Sequence, residues 1–252
     1  MKKVIKLLAL SLAMVFVLAS FPACSGSDKI IIATDTTFAP FEFQDADGNY
    51  VGIDIELLAA IAADQGFEYV LDPKGFSAAV AALEAGQVDG VIAGMSITEE
   101  RKAKYNFSDP YYDSGVVMAI AATNNDIKSY SDLKGKTVAV KTGTEGMTFA
   151  ESIKATYGFE VQVYAESGMM YEAVKSGAAV ACFEDYPVMG YGISQGNGLK
   201  MVTDMEKGSS YGFAVLKGAG NDELVEKFNR GLANIKASGK YDEIINKYIK
   251  TN

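Results

Sequence analysis

From Lys29 onward the chain alternates short apolar runs with longer stretches in which hydrophobic side chains return every three or four positions. Short continuous runs suit strands, and the 3.6-residue recurrence suits amphipathic helices, so the alternation predicts an α/β protein. Strands are expected at residues 30–33, 67–71, 88–93, 115–122, 137–140, 161–164 and 179–183. Residues 41–44 and 50–51 flank Asp45-Ala46-Asp47-Gly48-Asn49, whose Asp-Gly step takes up the positive backbone angles of a hairpin turn. Helices are expected where Ile53, Leu57, Ala60 and Ile61 recur, at 76–85 before Gly86, and after Thr98. Others run from the Thr142-Gly143-Thr144 loop to Tyr157 and over 169–175, and the chain then turns at Asp185. The tail carries two more helices, with Leu224, Phe228, Leu232 and Ile235 on one face and Tyr241, Ile244, Ile245 and Tyr248 on another.

Composition narrows the chemistry. With 252 residues, 49% hydrophobic and 22% charged, the chain can bury a large core, which argues against disorder. Histidine is absent, and with it go the serine-histidine-aspartate triad, the cysteine-histidine pair and every zinc site built on imidazole. Two cysteines without a CxxC spacing make neither a metal knuckle nor a disulfide scaffold. No metal and no cofactor are therefore expected.

The first residues carry Lys2, Lys3 and Lys6 ahead of an apolar run from Leu7 to Ala19, the charge and length pattern of an export signal. That run is shorter than the ~20 residues a helix needs to cross a bilayer. Cleavage is expected after residue 23, so that Cys24 becomes the mature amino terminus. Ala23 before Cys24 resembles a bacterial lipobox, although Phe21 and Pro22 stand where that motif has leucine and a small residue. The resemblance implies a lipid anchor on Cys24 and an exported protein, either held at the cell surface or periplasmic. Removing residues 1–23 takes away three of the 23 basic residues and none of the 32 acidic ones, leaving 20 against 32 and a net charge of −12. So acidic a surface repels phosphate, and nucleic acid is excluded as a partner.

Two partial motifs fail on inspection. Asp45, Asp47, Asn49 and Glu56 fall at positions 1, 3, 5 and 12 of a calcium loop, but Tyr50 takes the position where the sharp turn demands glycine. Gly135-Lys136-Thr137 ends like a P-loop, but Tyr130 replaces the first glycine and a strand follows where a helix is required. A third feature persists. Thr98-Glu99-Glu100-Arg101 begins a helix with a capping threonine, yet puts arginine where a capping box has Glu or Gln, so Arg101 has some other task.

Four segments in register resemble the bacterial extracellular solute-binding proteins of polar amino-acid uptake systems (family 3), and among these the glutamine-binding proteins most. They are Ala33-Thr34-Asp35-Thr36-Thr37-Phe38-Ala39-Pro40-Phe41-Glu42-Phe43, Asp89-Gly90-Val91-Ile92-Ala93-Gly94-Met95-Ser96-Ile97-Thr98-Glu99-Glu100-Arg101, Val138-Ala139-Val140-Lys141-Thr142-Gly143-Thr144 and Glu184-Asp185-Tyr186-Pro187. The resemblance implies a two-lobed type II periplasmic-binding-protein fold, with residues 29–112 and 211–252 in one lobe and 113–210 in the other. Two crossing strands, with hinges near 112–115 and 207–211, would join the lobes. A monomer would shut over one small zwitterion and hand it to the permease of an ABC transporter.

Each end of such a ligand needs a partner in a dry cleft. Arg101 can grip the carboxylate with its planar guanidinium, aided by backbone N–H groups at Ser96 and Thr144. Asp185, the carbonyl of Gly94 and the hydroxyl of Ser96 would take the ammonium. Phe38 and Phe76 align with walls around the ligand's aliphatic carbons, beside Ala93. Specificity would fall on Asp35, Lys141 and Glu184. Asp35 accepting from a side-chain amide nitrogen and Lys141 donating to its oxygen suit glutamine, while Glu184 leaves a basic amino acid open. Glu145 and Val180 depart from the family pattern. Cyclohexadienyl dehydratases share the architecture, and in that reading Glu184 is the proton donor.

Overall fold

A computed structural model describes residues 29–249, and the expected signal segment and Cys24 lie outside them. Two sheets organise the chain. The first combines β1 (Ile30–Thr34), β5 (Tyr69–Pro73), β6 (Gly90–Val91), β7 (Tyr105–Phe107) and β14 (Ala214–Leu216) in the order β5-β1-β6-β14-β7. The second combines β8 (Tyr112–Ala121), β9 (Thr137–Lys141), β10 (Glu160–Tyr164), β11 (Ala181–Asp185) and β12 (Leu199–Met201) in the order β10-β9-β11-β8-β12, with β13 (Glu206–Tyr211) also on β8. A small antiparallel sheet of β2 (Thr37–Phe38), β3 (Glu42–Gln44) and β4 (Tyr50–Val51) contains the expected hairpin, pairing Gln44 with Tyr50.

Helices cover both sheets. The first lobe holds α1 (Ile53–Gln65), α2 (Phe76–Glu84), α3 (Glu99–Lys104), α7 (Asp222–Ala237) and α8 (Lys240–Tyr248); the second holds α4 (Glu145–Tyr157), α5 (Ser167–Lys175) and α6 (Tyr186–Ser194). The apolar stripe of α7 is buried as its spacing requires, with Leu224, Phe228, Leu232 and Ile235 packed on Ile53, Leu57 and Ile61 of α1. Each such large side chain removed from water contributes about 1.5–3 kcal/mol. Phe228 stacks on Phe213 with ring centroids 4.9 Å apart, tying α7 to the approach to β14. A separate cluster around Val116, Met118, Val138, Phe149 and Phe183 fills the second lobe.

The chain passes between the sheets twice, from β7 into β8 and from β13 into β14. The two passages are bonded to each other: Tyr111 N donates to Tyr211 O at 2.9 Å, Ser108 N to Phe213 O at 2.8 Å, and Tyr112 pairs with Tyr211 in register. Two antiparallel strands therefore carry the connection, and their register slips between Glu206 and Ser209.

Several elements differ from the sequence reading. Residues 186–194 form α6 directly after Asp185, although two glycines and Pro187 argue for a turn; the proline occupies the first turn, where its missing N–H costs nothing. The strand expected over 88–93 contracts to Gly90–Val91, and β7, β12, β13 and β14 are strands too short or too polar to show a pattern. The Asp45 carboxylate closes the hairpin by accepting from the Asp47 and Asn49 amides at 2.9 Å.

Candidate functional site

Within the parallel part of each sheet, the strands point their carboxyl ends at the same gap, where α/β proteins gather ligands. Asp35 follows β1, Gly94 follows β6, Lys141 ends β9 and Asp185 ends β11. There the two lobes close on a narrow cavity of about 10 Å³. Eleven of the expected residues line it: Asp35, Phe38, Phe76, Ala93, Gly94, Ser96 and Arg101 from the first lobe, with Lys141, Thr144, Glu145 and Asp185 from the second. A groove of about 720 Å³ beside Tyr112, Tyr186 and Tyr191 is larger, but Asp113 and Lys247 are the charged residues lining it.

Arg101 occupies the first turn of α3, where Thr98 Oγ1 accepts from its backbone N–H at 3.2 Å. From there the guanidinium reaches across the gap. Nη1 donates to the Ser96 carbonyl at 2.8 Å, Nη2 donates to the Gly143 carbonyl at 2.9 Å, and Glu145 Oε1 lies 3.9 Å away. Its plane sits 5.5 Å from the centre of the Phe76 ring. Burial lowers the Arg101 pKa, and Glu145 and Asp185 oppose that effect.

Lys141 and Asp35 form an ion pair between the lobes, both side chains 2% exposed, with the ammonium 5.1 Å from the Phe38 ring centre. The other Asp35 oxygen accepts from the Phe76 amide at 3.0 Å, capping α2, whose own N-cap, Gly75, has no side chain to do so. Gly94 has φ +50°, and a methyl group there would lie 2.4 Å from the Phe38 ring; only glycine lets this turn sit against the cleft wall. Thr144 caps α4, accepting from the Met147 amide at 3.3 Å.

Asp185 is 5% exposed and accepts from the Tyr211 hydroxyl at 2.6 Å, while Ser114 Oγ donates to that same tyrosine oxygen at 3.0 Å. Burial first, and Glu184 second, push its pKa up to about 7. Glu184 itself is placed apart from these residues. Neighbours on a strand point to opposite faces, so with Asp185 in the cleft Glu184 turns into the lobe. There it accepts from Ser167 Oγ at 3.0 Å, the Tyr171 hydroxyl at 2.8 Å and the Asp185 amide at 3.0 Å, and does not line the cavity. Tyr211 was not legible as a site residue. Its link to Asp185 depends on β13 crossing to β8, and no local pattern signals that.

The arrangement holds opposed fixed charges in a small, closed space. Comparison with known proteins agrees. Residues 30–251 match the family described as bacterial extracellular solute-binding proteins, family 3. The arginine-binding extracellular protein ArtP of Bacillus subtilis is 32% identical, the alignment covering 89% of this chain and 87% of that protein. An ancestral arginine-binding protein, solved bound to glutamine and bound to arginine, superposes with a TM-score of 0.81 at 38% identity, over 88% of this chain and 98% of that one. The second substrate-binding domain of GlnP from Lactococcus lactis, in an open conformation, is nearer in sequence at 42% identity but scores 0.62, over 89% of this chain and 97% of that one. With the two-lobed fold, the cleft and the matched length of chain in agreement, this chain belongs to the bacterial extracellular solute-binding proteins of family 3, the amino-acid-binding components of ABC uptake systems.

Proposed function

We propose that the protein captures glutamine between lobes made of residues 29–112 with 211–252 and of residues 113–210, and delivers it to an ABC permease as a monomer anchored through Cys24. Arg101 on one lobe exchanges its carbonyl partners for the ligand carboxylate, supported by the backbone N–H groups of Ser96 and Thr144. Asp185 on the other lobe takes the ammonium together with Ser96 Oγ and the Gly94 carbonyl. The ligand thus bridges the lobes and stabilises the closed state by its differential contacts, with the paired strands at 112–115 and 207–211 flexing. A dissociation constant in the micromolar range, about −8 kcal/mol, suits this number of contacts.

The observation that carries the choice of glutamine is the buried Lys141–Asp35 pair at the far end of the cleft. A ligand amide can insert between them, accepting from the lysine and donating to the aspartate, and leaves both charges satisfied. A cationic side chain would meet the Lys141 ammonium with nowhere to move it. A basic amino acid remains the second reading because Asp35, Glu145 and Asp185 outnumber Arg101 and Lys141 around the cavity. Catalysis on this scaffold loses its candidate donor, since Glu184 is turned away from the cleft and engaged by Ser167 and Tyr171.

A thermal-shift screen against the twenty amino acids tests the assignment, because a ligand raises apparent stability by mass action. Glutamine is expected to give the largest shift. A larger shift with arginine or lysine would overturn the reading of Lys141.

A further inference from the structure

Beneath the Gly94 turn, Glu42 of β3 and Asp54 of α1 are both fully buried, and neither takes part in the binding scheme above. Their meeting is built into the backbone. Ile53 N donates to Pro40 O and Asp54 N to Phe41 O, each at 2.9 Å, and Gly52 makes this close approach possible, since a methyl group there would stand 2.1 Å from the Phe41 oxygen. These bonds pack the start of α1 against β3, and Asp54 raises the Glu42 pKa on top of burial.

Their partners are unequal. Asp54 Oδ2 accepts from the Gly94 amide at 2.7 Å and from the Tyr111 hydroxyl at 2.8 Å. Asp54 Oδ1 and both oxygens of Glu42 find no other donor. Two buried carboxylates with three oxygens bare would be costly, whereas a single proton between them converts one oxygen into a donor and satisfies its neighbour. Because Asp54 is the one that two donors hold in its ionised form, the proton belongs on Glu42.

We propose that Glu42 is a positioning residue, protonated at neutral pH, which donates to Asp54 and thereby fixes the Gly94 turn of the cleft and the Tyr111 passage between the lobes. The charges facing the pair fit a total of −1. Asp54 and Asp35 raise the Glu42 pKa on top of burial, and Lys141, from the opposite lobe, partly offsets them. Tyr111 stays neutral, its own pKa raised by burial and by both carboxyl groups. The consequence for ligand capture rests on the cleft reading above; the protonation does not.

The test uses the ligand-free full chain. In the infrared, the difference spectrum of wild type minus Glu42→Gln at pH 7 should contain the band of a neutral carboxylic acid, since the half-protonated Asp185 contributes equally to both and cancels. By NMR, the Gly94 amide should be protected from exchange in wild type and equally in Glu42→Gln, whose amide still donates to Asp54, but should exchange about tenfold faster or more in Glu42→Leu. A group whose folded pKa is raised gives stability that is lost as pH rises through that pKa. Gly94 protection, corrected for intrinsic exchange, and Tm should therefore decline with rising pH in wild type and stay flatter in Glu42→Gln. Absence of that band from the difference spectrum, or superimposable pH profiles for wild type and Glu42→Gln, would overturn the proposal, and the Gln comparison decides it even if the Leu variant does not fold. Since no ligand is added, a failure to bind glutamine is registered separately and leaves these readouts unaffected.

Discussion

On the proposed assignment of Asp185 to the ligand ammonium, binding should be coupled to a proton. Only the ionised carboxylate can pair with an ammonium, and with a pKa of about 7 in the ligand-free protein its ionised fraction falls from about one half at pH 7 to about 1% at pH 5, so affinity should fall about 50-fold. Binding at pH 6 should release nearly one proton per ligand. Calorimetry with glutamine at pH 5 to 8, repeated in buffers of different ionisation enthalpy, measures both quantities. Stability should move the opposite way. A raised folded pKa means the native state holds the proton more tightly, so stability is lost as pH climbs from about 4 to about 7, by about 4 kcal/mol in total from this one group. Asp185→Asn should bind weakly at every pH and flatten both profiles. Wild-type affinity constant from pH 5 to 8, with no proton release, would refute the assignment of Asp185 as the ammonium partner.

Other perturbations test other parts of the cleft. Removing the guanidinium in Arg101→Ala strips a partner from a desolvated carboxylate and should cost about 2–5 kcal/mol, a loss of roughly 30-fold to several thousand-fold in Kd by calorimetry. Lys141→Met should weaken glutamine and strengthen arginine; unchanged ranking of the two ligands would show that Lys141 does not face the side chain. Tyr211→Phe removes a hydrogen bond that favours the ionised Asp185, so the midpoint of the pH-affinity curve should rise by about one to two units. Gly94→Ala forces a left-handed residue to carry a methyl group into Phe38 and should destabilise by about 2–5 kcal/mol in urea unfolding, with Ala93→Ser as a mild control.

The helices with a clean apolar face, such as α7, could be read from spacing alone, because burial of one stripe is a local demand. The site residues could be named because four segments, holding Asp35, Gly94, Lys141 and Asp185, resemble family 3 solute-binding proteins, and because Arg101 breaks a capping pattern. Glu184 stands apart from the cleft lining for a simple reason: adjacent side chains on a strand point to opposite faces. Tyr211 lies 26 residues from Asp185 on β13, which is too polar to advertise itself as a strand, and Glu42 and Asp54 meet through a close backbone approach at Gly52. Packing between distant segments leaves no periodicity in the chain.

Arg101 bonded to Gly143, and Lys141 bonded to Asp35, give the jaws grips on one another that owe nothing to a solute. Capture then becomes a swap. A visiting molecule gains only the difference between its own bonds and those it displaces, so one that mimics half the pattern gains almost nothing. Discrimination of this kind comes from competition with the protein's own side chains, and it trades tight holding for rejection of near-misses.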